Sequence, residues 1–306
     1  MSSSISVVIP CYRSEATIGQ VVNGLHDALA GRDYEVICVV DGSPDNTWAV
    51  VETLASHPRV RALDLMRNYG QHNAVLAGIR AARNEVTVTM DDDLQHSPAD
   101  VPRLVEALDD DADLVYGVPE GEPHGFWRGF GSRSVKRVLA RSLGVPGARQ
   151  ISPFRAFRTE MRVSFEAVRD AFVSIDVLLS WTGSRVRSIP VEMAERGAGE
   201  SNYTFRTLLR HTVNMVTGYS SAPLRVVTIV GFVTALLGLV LFIYVLVLFF
   251  SGRTQVAGFT TIAAMVAMFS GVQLFALGIL GEYIGRLHSR SISRPSYVVR
   301  REVDHT

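Results

Sequence analysis

The amino-acid sequence predicts an α/β protein with a mostly parallel sheet, followed by amphipathic interface helices and two transmembrane helices. Over residues 1–117, short runs rich in Val and Ile alternate with amphipathic segments, which is the pattern of successive βαβ units. Two long uncharged segments near the C-terminus contribute much of the 47% hydrophobic content. The formal net charge is zero, so whole-chain charge favours no particular partner, and no nucleic-acid partner is expected.

Five strands and four helices are predicted in the N-terminal part of the chain. The strands cover residues 5–10, 34–40, 60–65, 86–90 and 114–117. The helices cover residues 17–30, 47–56, 72–82 and 98–108, and residues 151–193 return to a mixed α/β pattern. Ser97 gives the last of these helices an N-cap, and Pro98 suits its first turn. Because ligands of parallel sheets bind beyond the carboxyl ends of the strands, the polar residues after these strands mark the expected site.

Two uncharged segments, residues 226–250 and 259–281, predict a transmembrane hairpin. Each is long enough to cross a hydrocarbon core that needs about 20 residues. A long buried core helix is the alternative, but two such segments in tandem favour spanning helices. The loop between them carries only Arg253, whereas the other flanks carry Arg206, Arg210, Arg225, Arg286, Arg290 and Arg294. The positive-inside rule therefore predicts a multi-pass membrane protein with both termini in the cytoplasm.

Three adjacent carboxylates, Asp91, Asp92 and Asp93, follow the fourth predicted strand. Neighbouring carboxylates repel one another unless a cation or hydrogen-bond donors compensate. Hard oxygen ligands of this kind suit Mg²⁺ or Mn²⁺ bridging a diphosphate. The sequence favours such a metal site over the alternative, which is a solvated acidic turn that caps the next helix.

Polar turns also follow the second and third predicted strands. Asp41 can accept a hydrogen bond from a nucleotide base, and Gly42 allows a close approach of the backbone to a ligand. An ordinary strand-to-helix turn with Asx capping explains the same residues equally well. Residues 67–72 supply several hydrogen-bond donors without an evident core role, and a surface loop is the alternative there.

Four segments together resemble a known family. Residues 8–12 (VIPCY), 41–43 (DGS), 67–72 (RNYGQH) and 91–98 (DDDLQHSP) occur in the order found in inverting family 2 glycosyltransferases of the GT-A, Rossmann-like fold. The resemblance is strongest to the polyprenyl-phosphate glycosyltransferases, which include dolichyl-phosphate mannose synthase, the bactoprenol glucosyltransferases and the undecaprenyl-phosphate aminoarabinose transferase. It covers nearly the whole chain, including the two C-terminal helices.

The resemblance implies a donor site and a metal site at the carboxyl edge of the sheet. Asp41 corresponds to the residue that contacts the nucleotide base, and the other implied donor contacts are Pro10, Tyr12, Glu15, Asp92 and Arg196. The implied ligands of Mg²⁺ or Mn²⁺ are Asp91, Asp93 and Gln95. Three positions depart from the family pattern, at Val40, at Ser152-Pro153 and at Asn202, which replaces a common lysine.

The acceptor site is implied by arginines further along the chain. Arg128 and Arg133, with Ser134 beside them, correspond to residues that hold the acceptor phosphate, and Arg155 lies in a similar arginine-bearing segment. The residues expected to carry catalysis are Asp91, Asp93, Arg128 and Arg133. For the helical segment 126–143, a basic surface helix that merely attracts anionic lipid is the alternative.

The implied function is inverting transfer of a sugar from a nucleotide-sugar donor to a polyprenyl phosphate, undecaprenyl or decaprenyl, at the cytoplasmic membrane face. The implied division is a cytoplasmic catalytic domain (1–200), amphipathic interface helices (201–224), a transmembrane hairpin (225–285) and a cytoplasmic tail (286–306). The implied partners are the donor, the acceptor, the lipid bilayer and further copies of the chain in a tetramer. The alternatives are an inactive nucleotide-sugar-binding membrane scaffold and a transferase for another lipid or polysaccharide acceptor. A processive polysaccharide synthase is disfavoured, because it would need more membrane helices.

Overall fold

The computed structural model describes residues 3–119, 151–166, 168, 173–183, 185–194, 222–251, 258–291 and 295–305. The chain divides into two compact units. The first combines Met1–Leu208 with Ser293–Thr306, and the second is Leu209–Ile292. The first unit holds the sheet and every described residue of the predicted site, and the second holds the two long C-terminal helices.

The first unit is built on one sheet of eight described strands. They are β1 (Ile5–Cys11), β2 (Tyr34–Val40), β3 (Val60–Leu65), β4 (Val86–Thr89), β5 (Leu114–Pro119), β6 (Arg155–Arg158), β7 (Val186–Val191) and β8 (Val299–Val303). Their order across the sheet is β7-β5-β6-β4-β1-β2-β3-β8. The pairs β1–β2, β1–β4, β2–β3 and β5–β7 are parallel, and β6 and β8 join antiparallel. The predicted mostly parallel α/β sheet is confirmed.

Helices cover both faces of this sheet. The described ones are α1 (Ile18–Ala28), α2 (Thr47–Leu54), α3 (Gln71–Ala81), α4 (Val101–Glu106) and α5 (Ile175–Thr182). Successive strand residues point to opposite faces, so Val7 packs with α1, α2 and α4 while Val8 packs with α3. The helix predicted over 98–108 is a 3-10 turn, Pro98–Asp100, followed by α4, and the Ser97 hydroxyl caps it by accepting from the Ala99 N–H at 3.3 Å.

One strand was absent from the sequence prediction, which described residues 286–306 only as a tail. Within that stretch β8 pairs with β3 and forms one edge of the sheet. Its sequence, VRREV, has charged residues at its three central positions, so it lacks the apolar pattern of a buried strand. The part of the tail that contains β8 therefore belongs to the first unit.

The second unit contains α6 (Ala222–Phe250, 29 residues) and α7 (Phe259–Ser291, 33 residues). These helices include the two uncharged segments on which the hairpin prediction rests. Within the part of the chain that the structure describes, no helix combines the length and the apolar character needed to cross a membrane. Of the interface helices predicted over 201–224, residues 201–221 lie outside the described residues.

Candidate functional site

Asp91 follows β4 at the carboxyl edge of the sheet and is half-buried. Its Oδ1 accepts a hydrogen bond from Gln71 Nε2 at 2.6 Å. Burial, together with the charges of Asp93 and Asp92, raises the pKa of Asp91 to about 6, although Arg155 and the bond from Gln71 act in the opposite direction. Since repulsion and desolvation both disfavour its ionised form, a bound cation would stabilise this carboxylate.

Asp92 holds two turns of the site together. Its carboxylate accepts hydrogen bonds from the Tyr12 N–H at 3.2 Å and from the Ser14 hydroxyl. Burial raises the pKa of Asp92, and these two hydrogen bonds oppose the rise. The turn after β1 is thereby fixed against the turn after β4. Contact between Asp92 and a donor stays a prediction.

Asp93 and Gln95 form the end of the acidic turn. The Gln95 N–H donates to Asp93 Oδ1 at 3.2 Å, and Leu94 between them has a positive φ of 61°. The Gln95 carbonyl accepts from the Ala194 N–H at 2.9 Å, so the chain after β7 runs beside this turn. Arg196 follows two positions after Ala194 in the sequence and lies outside the described residues.

The donor set in this turn fits a hard divalent cation. Asp91 and Asp93 offer carboxylate oxygens and Gln95 offers an amide oxygen, which are ligands that Mg²⁺ and Mn²⁺ accept. Among the described residues, no three His, Cys, Asp or Glu side chains are grouped so that they could hold a metal ion by themselves. Because Mg²⁺-type ions are commonly held by one or two carboxylates together with substrate phosphates, the two observations are compatible.

Asp41 is almost fully buried, with 3% of its surface exposed, at the carboxyl end of β2. Its Oδ1 accepts from the Tyr69 N–H at 2.7 Å and its Oδ2 from the Gly70 N–H at 2.8 Å. Burial raises the pKa of Asp41, and the two backbone donors oppose that rise. Each oxygen retains one further lone pair, which leaves the predicted base contact chemically available.

Gly42 explains why residues 67–70 lie so close to the turn after β2. Its φ is +57°, and a Cβ at this position would lie 2.3 Å from the backbone carbon of Arg67. A side chain would therefore displace this loop, which we call the 67–70 loop. The close approach seen at Gly42 is that of a neighbouring loop of the same chain, and its approach to a ligand stays a prediction.

The turns after β1 and β2 are also joined by hydrogen bonds. The Ser14 N–H donates to the Thr47 hydroxyl at 2.9 Å, and the Asn46 N–H donates to Glu15 Oε2 at 2.9 Å. Tyr12 remains 43% exposed at the mouth of the site. Of the predicted donor contacts, Tyr12 is thus accessible to a ligand, while one Glu15 oxygen is engaged within the protein.

Arg155 lies on β6 with 3% of its surface exposed and forms an ion pair with Asp176 at the start of α5. Its Nε donates to the Thr89 hydroxyl at 3.0 Å, and the Tyr116 hydroxyl donates to Asp176 at 3.1 Å. Burial tends to lower the pKa of Arg155, but the charge of Asp176 raises it overall. Burial and Asp176 likewise raise the pKa of Tyr116. The predicted acceptor contact therefore has a half-buried carboxylate partner of its own.

A cavity of about 210 Å³ opens beside these groups. It brings together three of the predicted residues, Pro10, Asp91 and Arg155. The cavity is also lined by Gln71, His72, Val75, Thr89, Met90, Ile151, Pro153 and Asp176. Sequence reasoning missed Asp176, because a single acid in the first turn of an apolar helix reads as an ordinary helix-start charge. Arg128, Arg133 and Ser134 lie outside the described residues.

Two family matches cover most of the chain. Residues 6–163 match the family described as Glycosyl transferase family 2, and residues 222–287 match the GtrB C-terminal hairpin. The chain belongs to glycosyl transferase family 2. The predicted family is thereby confirmed, and the matched hairpin contains both uncharged segments.

Curated relatives align over nearly the whole chain of this family 2 member. An undecaprenyl-phosphate 4-deoxy-4-formamido-L-arabinose transferase of Pseudomonas paraeruginosa is 36% identical over 98% of this chain and 90% of its own. A protein of the same name from Enterobacter sp. is 33% identical over 98% of this chain and 93% of its own.

Solved structures support the fold. A mannosyltransferase from Pyrobaculum calidifontis in complex with GDP-Man and Mn²⁺ has a TM-score of 0.53 at 18% identity, covering 71% of this chain and 64% of its own. Glucosyl-3-phosphoglycerate synthase from Mycobacterium tuberculosis in complex with Mn²⁺, UDP-glucose and phosphoglyceric acid has a TM-score of 0.52 at 21% identity, covering 71% and 79%.

Proposed function

We propose that this family 2 glycosyltransferase moves a sugar from a nucleotide-sugar donor onto a polyprenyl phosphate, with inversion at the anomeric carbon. The observation that carries the proposal is the acidic turn Asp91–Asp93 beside a cavity at the carboxyl edge of the sheet. The curated relatives, whose names specify undecaprenyl phosphate, align along almost their full length and so support this acceptor class.

In this proposal the donor nucleotide lies over the turns after β1 and β2. Asp41 accepts from the base, Pro10 and Tyr12 line the base pocket, and Glu15 borders it. Support comes from the network that fixes these turns, because a pre-formed site loses less conformational entropy when the donor binds. Arg196, which follows the segment hydrogen-bonded to Gln95, contacts the diphosphate, and Asp92 contacts the ribose or sugar.

Asp91, Asp93 and Gln95 are proposed to hold Mg²⁺ or Mn²⁺. When bound, such an ion neutralises charge that develops on the leaving nucleoside diphosphate. The protein residues contribute in another way, since Asp92 and Gln71 hold the acidic turn in place before substrate arrives. Mn²⁺ in the two nucleotide-bound structural relatives supports the choice of ion.

The acceptor phosphate is proposed to contact Arg128, Arg133 and Ser134, with Arg155 at the wall of the cavity. A phosphate oxygen is already ionised at neutral pH, so its attack needs orientation rather than a strong general base. Because Asp176 neutralises Arg155 and fixes its guanidinium, we assign Arg155 a weaker part in phosphate binding than the other two arginines. Attack on the face opposite the leaving group inverts the anomeric centre.

The membrane arrangement is part of the proposal. We infer that α6 and α7 cross the cell membrane, with the catalytic unit, residues 201–224 and both termini at the cytoplasmic side. The support is the uncharged sequence of residues 226–250 and 259–281, the family hairpin match and the arginine asymmetry about the spans. Assembly of several copies, as a tetramer, is proposed from the family resemblance alone.

The test is a donor screen on the full chain in detergent. UDP-, GDP- and dTDP-sugars are offered with undecaprenyl phosphate and Mn²⁺, and the lipid product is identified by mass. We expect one donor class to add a single sugar mass to the lipid phosphate. Nucleotide binding without any lipid product would favour the inactive scaffold, whereas sugar on another lipid or a polysaccharide would identify a different acceptor.

A further inference from the structure

The segment that follows α7 returns to the globular unit. We call residues 296–305 the C-terminal segment; it contains β8, which pairs antiparallel with β3 and places Arg301 opposite Asp64 and Val299 opposite Leu65. The register shifts between Asp64 and Leu65, at the point where β3 approaches its carboxyl end. The segment thus begins beside the carboxyl end of β3, at the edge that holds the site, and runs away from it along β3.

Both backbone groups of Met66, the first residue after β3, are bonded to this segment. The Met66 N–H donates to the Val298 carbonyl at 2.9 Å, and the Met66 carbonyl accepts from Arg300 Nη2 at 2.6 Å. Tyr297 packs against the same apolar cluster as Tyr69. The start of the 67–70 loop is therefore fixed by residues that lie more than 200 positions away in the sequence.

The 67–70 loop is also held where it faces the turn after β2. The backbone of Arg67 lies so close to Gly42 that a methyl group would not fit between them, and Asp41 accepts the N–H groups of Tyr69 and Gly70. A displacement of Met66 would consequently be transmitted to Asp41, because close-packed contacts leave little room for the loop to adjust independently.

The C-terminal segment is itself anchored along its length by charge pairs. Arg301 donates to the buried Asp64 at 2.9 and 3.1 Å. Arg61, also buried, contacts Glu302 at 3.2 Å, and Arg83 contacts Asp304 at 2.5 Å. The contacts of Arg61 and Arg83 lie away from Met66, whereas Asp64 is two residues before it and also lies 3.7 Å from Arg300 Nη1. These pairs hold the strand in register, whereas Val298 and Arg300 make the hydrogen bonds to Met66, the residue before the loop.

We propose that the C-terminal segment is a positioning element of the donor site, acting through Met66 and the 67–70 loop, and that Arg300 is a positioning residue for donor binding. The inference rests on the proposed function in one respect, because it takes Asp41 and the 67–70 loop as the nucleotide side of the site. It predicts that donor affinity depends on a strand that no donor touches.

The test compares three variants of the full chain in detergent, with UDP, GDP and dTDP, each with Mn²⁺, as binding probes. Isothermal titration calorimetry with the nucleotide that binds wild type most tightly should show about fivefold weaker binding for Arg300→Ala, since its charge-assisted hydrogen bond to Met66 and its longer contact with Asp64 are both lost. Arg300→Lys should restore most of the affinity. Arg83→Ala is the matched control, because it loosens the far end of the same segment, and it should bind within about twofold of wild type.

Kinetics separates positioning from a general loss of stability. In Arg300→Ala we expect the donor KM to rise about fivefold while the KM for undecaprenyl phosphate stays unchanged. A lower melting temperature with unaltered donor binding and KM would overturn the inference. Unaltered binding in a chain truncated after Arg294 would overturn it as well, and if that truncated chain fails to fold, the three point variants still decide.

The same titration distinguishes this inference from the proposed function. Wild type that binds none of the three nucleotides would remove the proposed donor site and the inference with it. Wild type that binds a nucleotide and glycosylates the lipid, alongside an Arg300→Ala variant with the same affinity, would overturn the inference alone.

Discussion

Asp41 and Asp91 both follow parallel strands at the same edge of the sheet, yet the protein treats them differently. Asp41 is buried and satisfied on both oxygens by backbone N–H groups. Asp91 has one amide donor, and burial together with its two like-charged neighbours raises its pKa to about 6. The carboxylate of Asp41 has hydrogen-bond partners within the folded chain. The carboxylate of Asp91 experiences charge repulsion, which a cation or a cation–diphosphate complex would relieve.

The same contrast holds for the arginines of the site. Arg155 is buried, with Asp176 and Thr89 as its partners and Tyr116 opposite it on β5, so its charge is compensated before any substrate arrives. We infer that Arg155 and Asp41, which the fold satisfies, chiefly shape the site, with Asp41 keeping only its remaining lone pairs for the base, and that Asp91, whose charge is uncompensated, binds the cation. The predictions below test this division, beginning with the largest expected change in stability.

Breaking the buried ion pair should have the largest structural effect. Asp176→Ala leaves the Arg155 charge buried without its partner and removes the acceptor of the Tyr116 hydroxyl, so we expect a loss of about 3 kcal/mol in the free energy of unfolding. Urea denaturation of the full chain in detergent measures it. The control is Asp113→Ala, which breaks an exposed pair with Arg185 and should cost under about 1 kcal/mol. Equal losses in both variants would contradict the assignment of Arg155 to the satisfied group.

Removing the Asp41 carboxylate should have a smaller effect on stability. Asp41→Ala leaves the N–H groups of Tyr69 and Gly70 without their acceptor, and we expect a loss of about 2 kcal/mol in the free energy of unfolding. Asp41→Asn retains one acceptor oxygen and should lose less. A variant Asp41→Ala as stable as wild type would show that these hydrogen bonds do not hold the loop.

The smallest effect is expected at Asp91, and it should depend on pH. Its folded-state pKa of about 6 lies above the usual value of 3.8, so between these values the folded state holds a proton that the unfolded chain has lost. The contribution of this group to stability therefore declines as pH rises through 6. We expect Asp91→Asn, measured in chelator, to melt higher than wild type at pH 8 and at a similar temperature at pH 4. A higher melting temperature for wild type at pH 8 would contradict the strained state of Asp91.

Much of the fold was predictable because buried strands and amphipathic helices have their own periodicities. The strands 34–40 and 60–65 were predicted to the residue. The helix predicted over 98–108 is divided in the structure. A 3-10 turn ends at Asp100, and the α-helix begins only at α4, with Pro102 in its first turn. The strand β8 was not predictable from apolar pattern, because its arginines find their carboxylate partner, Asp64, on β3 and not within the segment.

The sequence predicted which turns carry the candidate site, but it did not predict the side-chain contacts that join those turns. Asp41, Asp91 and Asp93 were placed correctly at strand ends, since parallel topology brings those ends together. The pairing of Arg155 with Asp176 depends on how α5 packs against β6, and the sequence around Asp176 carries no sign of it. The engagement of Asp92 by Ser14 is likewise a tertiary contact, made across 78 positions of sequence.

The most direct test of the central claim is the metal-dependent formation of a glycosylated lipid phosphate by wild type and by Asp93→Asn. Both proteins are supplied with the active nucleotide sugar, undecaprenyl phosphate and Mn²⁺, and the lipid product is followed by mass. We expect wild type to form the product and to stop in excess chelator, and Asp93→Asn to be slower by at least about a thousandfold with an unchanged melting temperature. Full activity of Asp93→Asn, or undiminished wild-type turnover in chelator, would contradict the account.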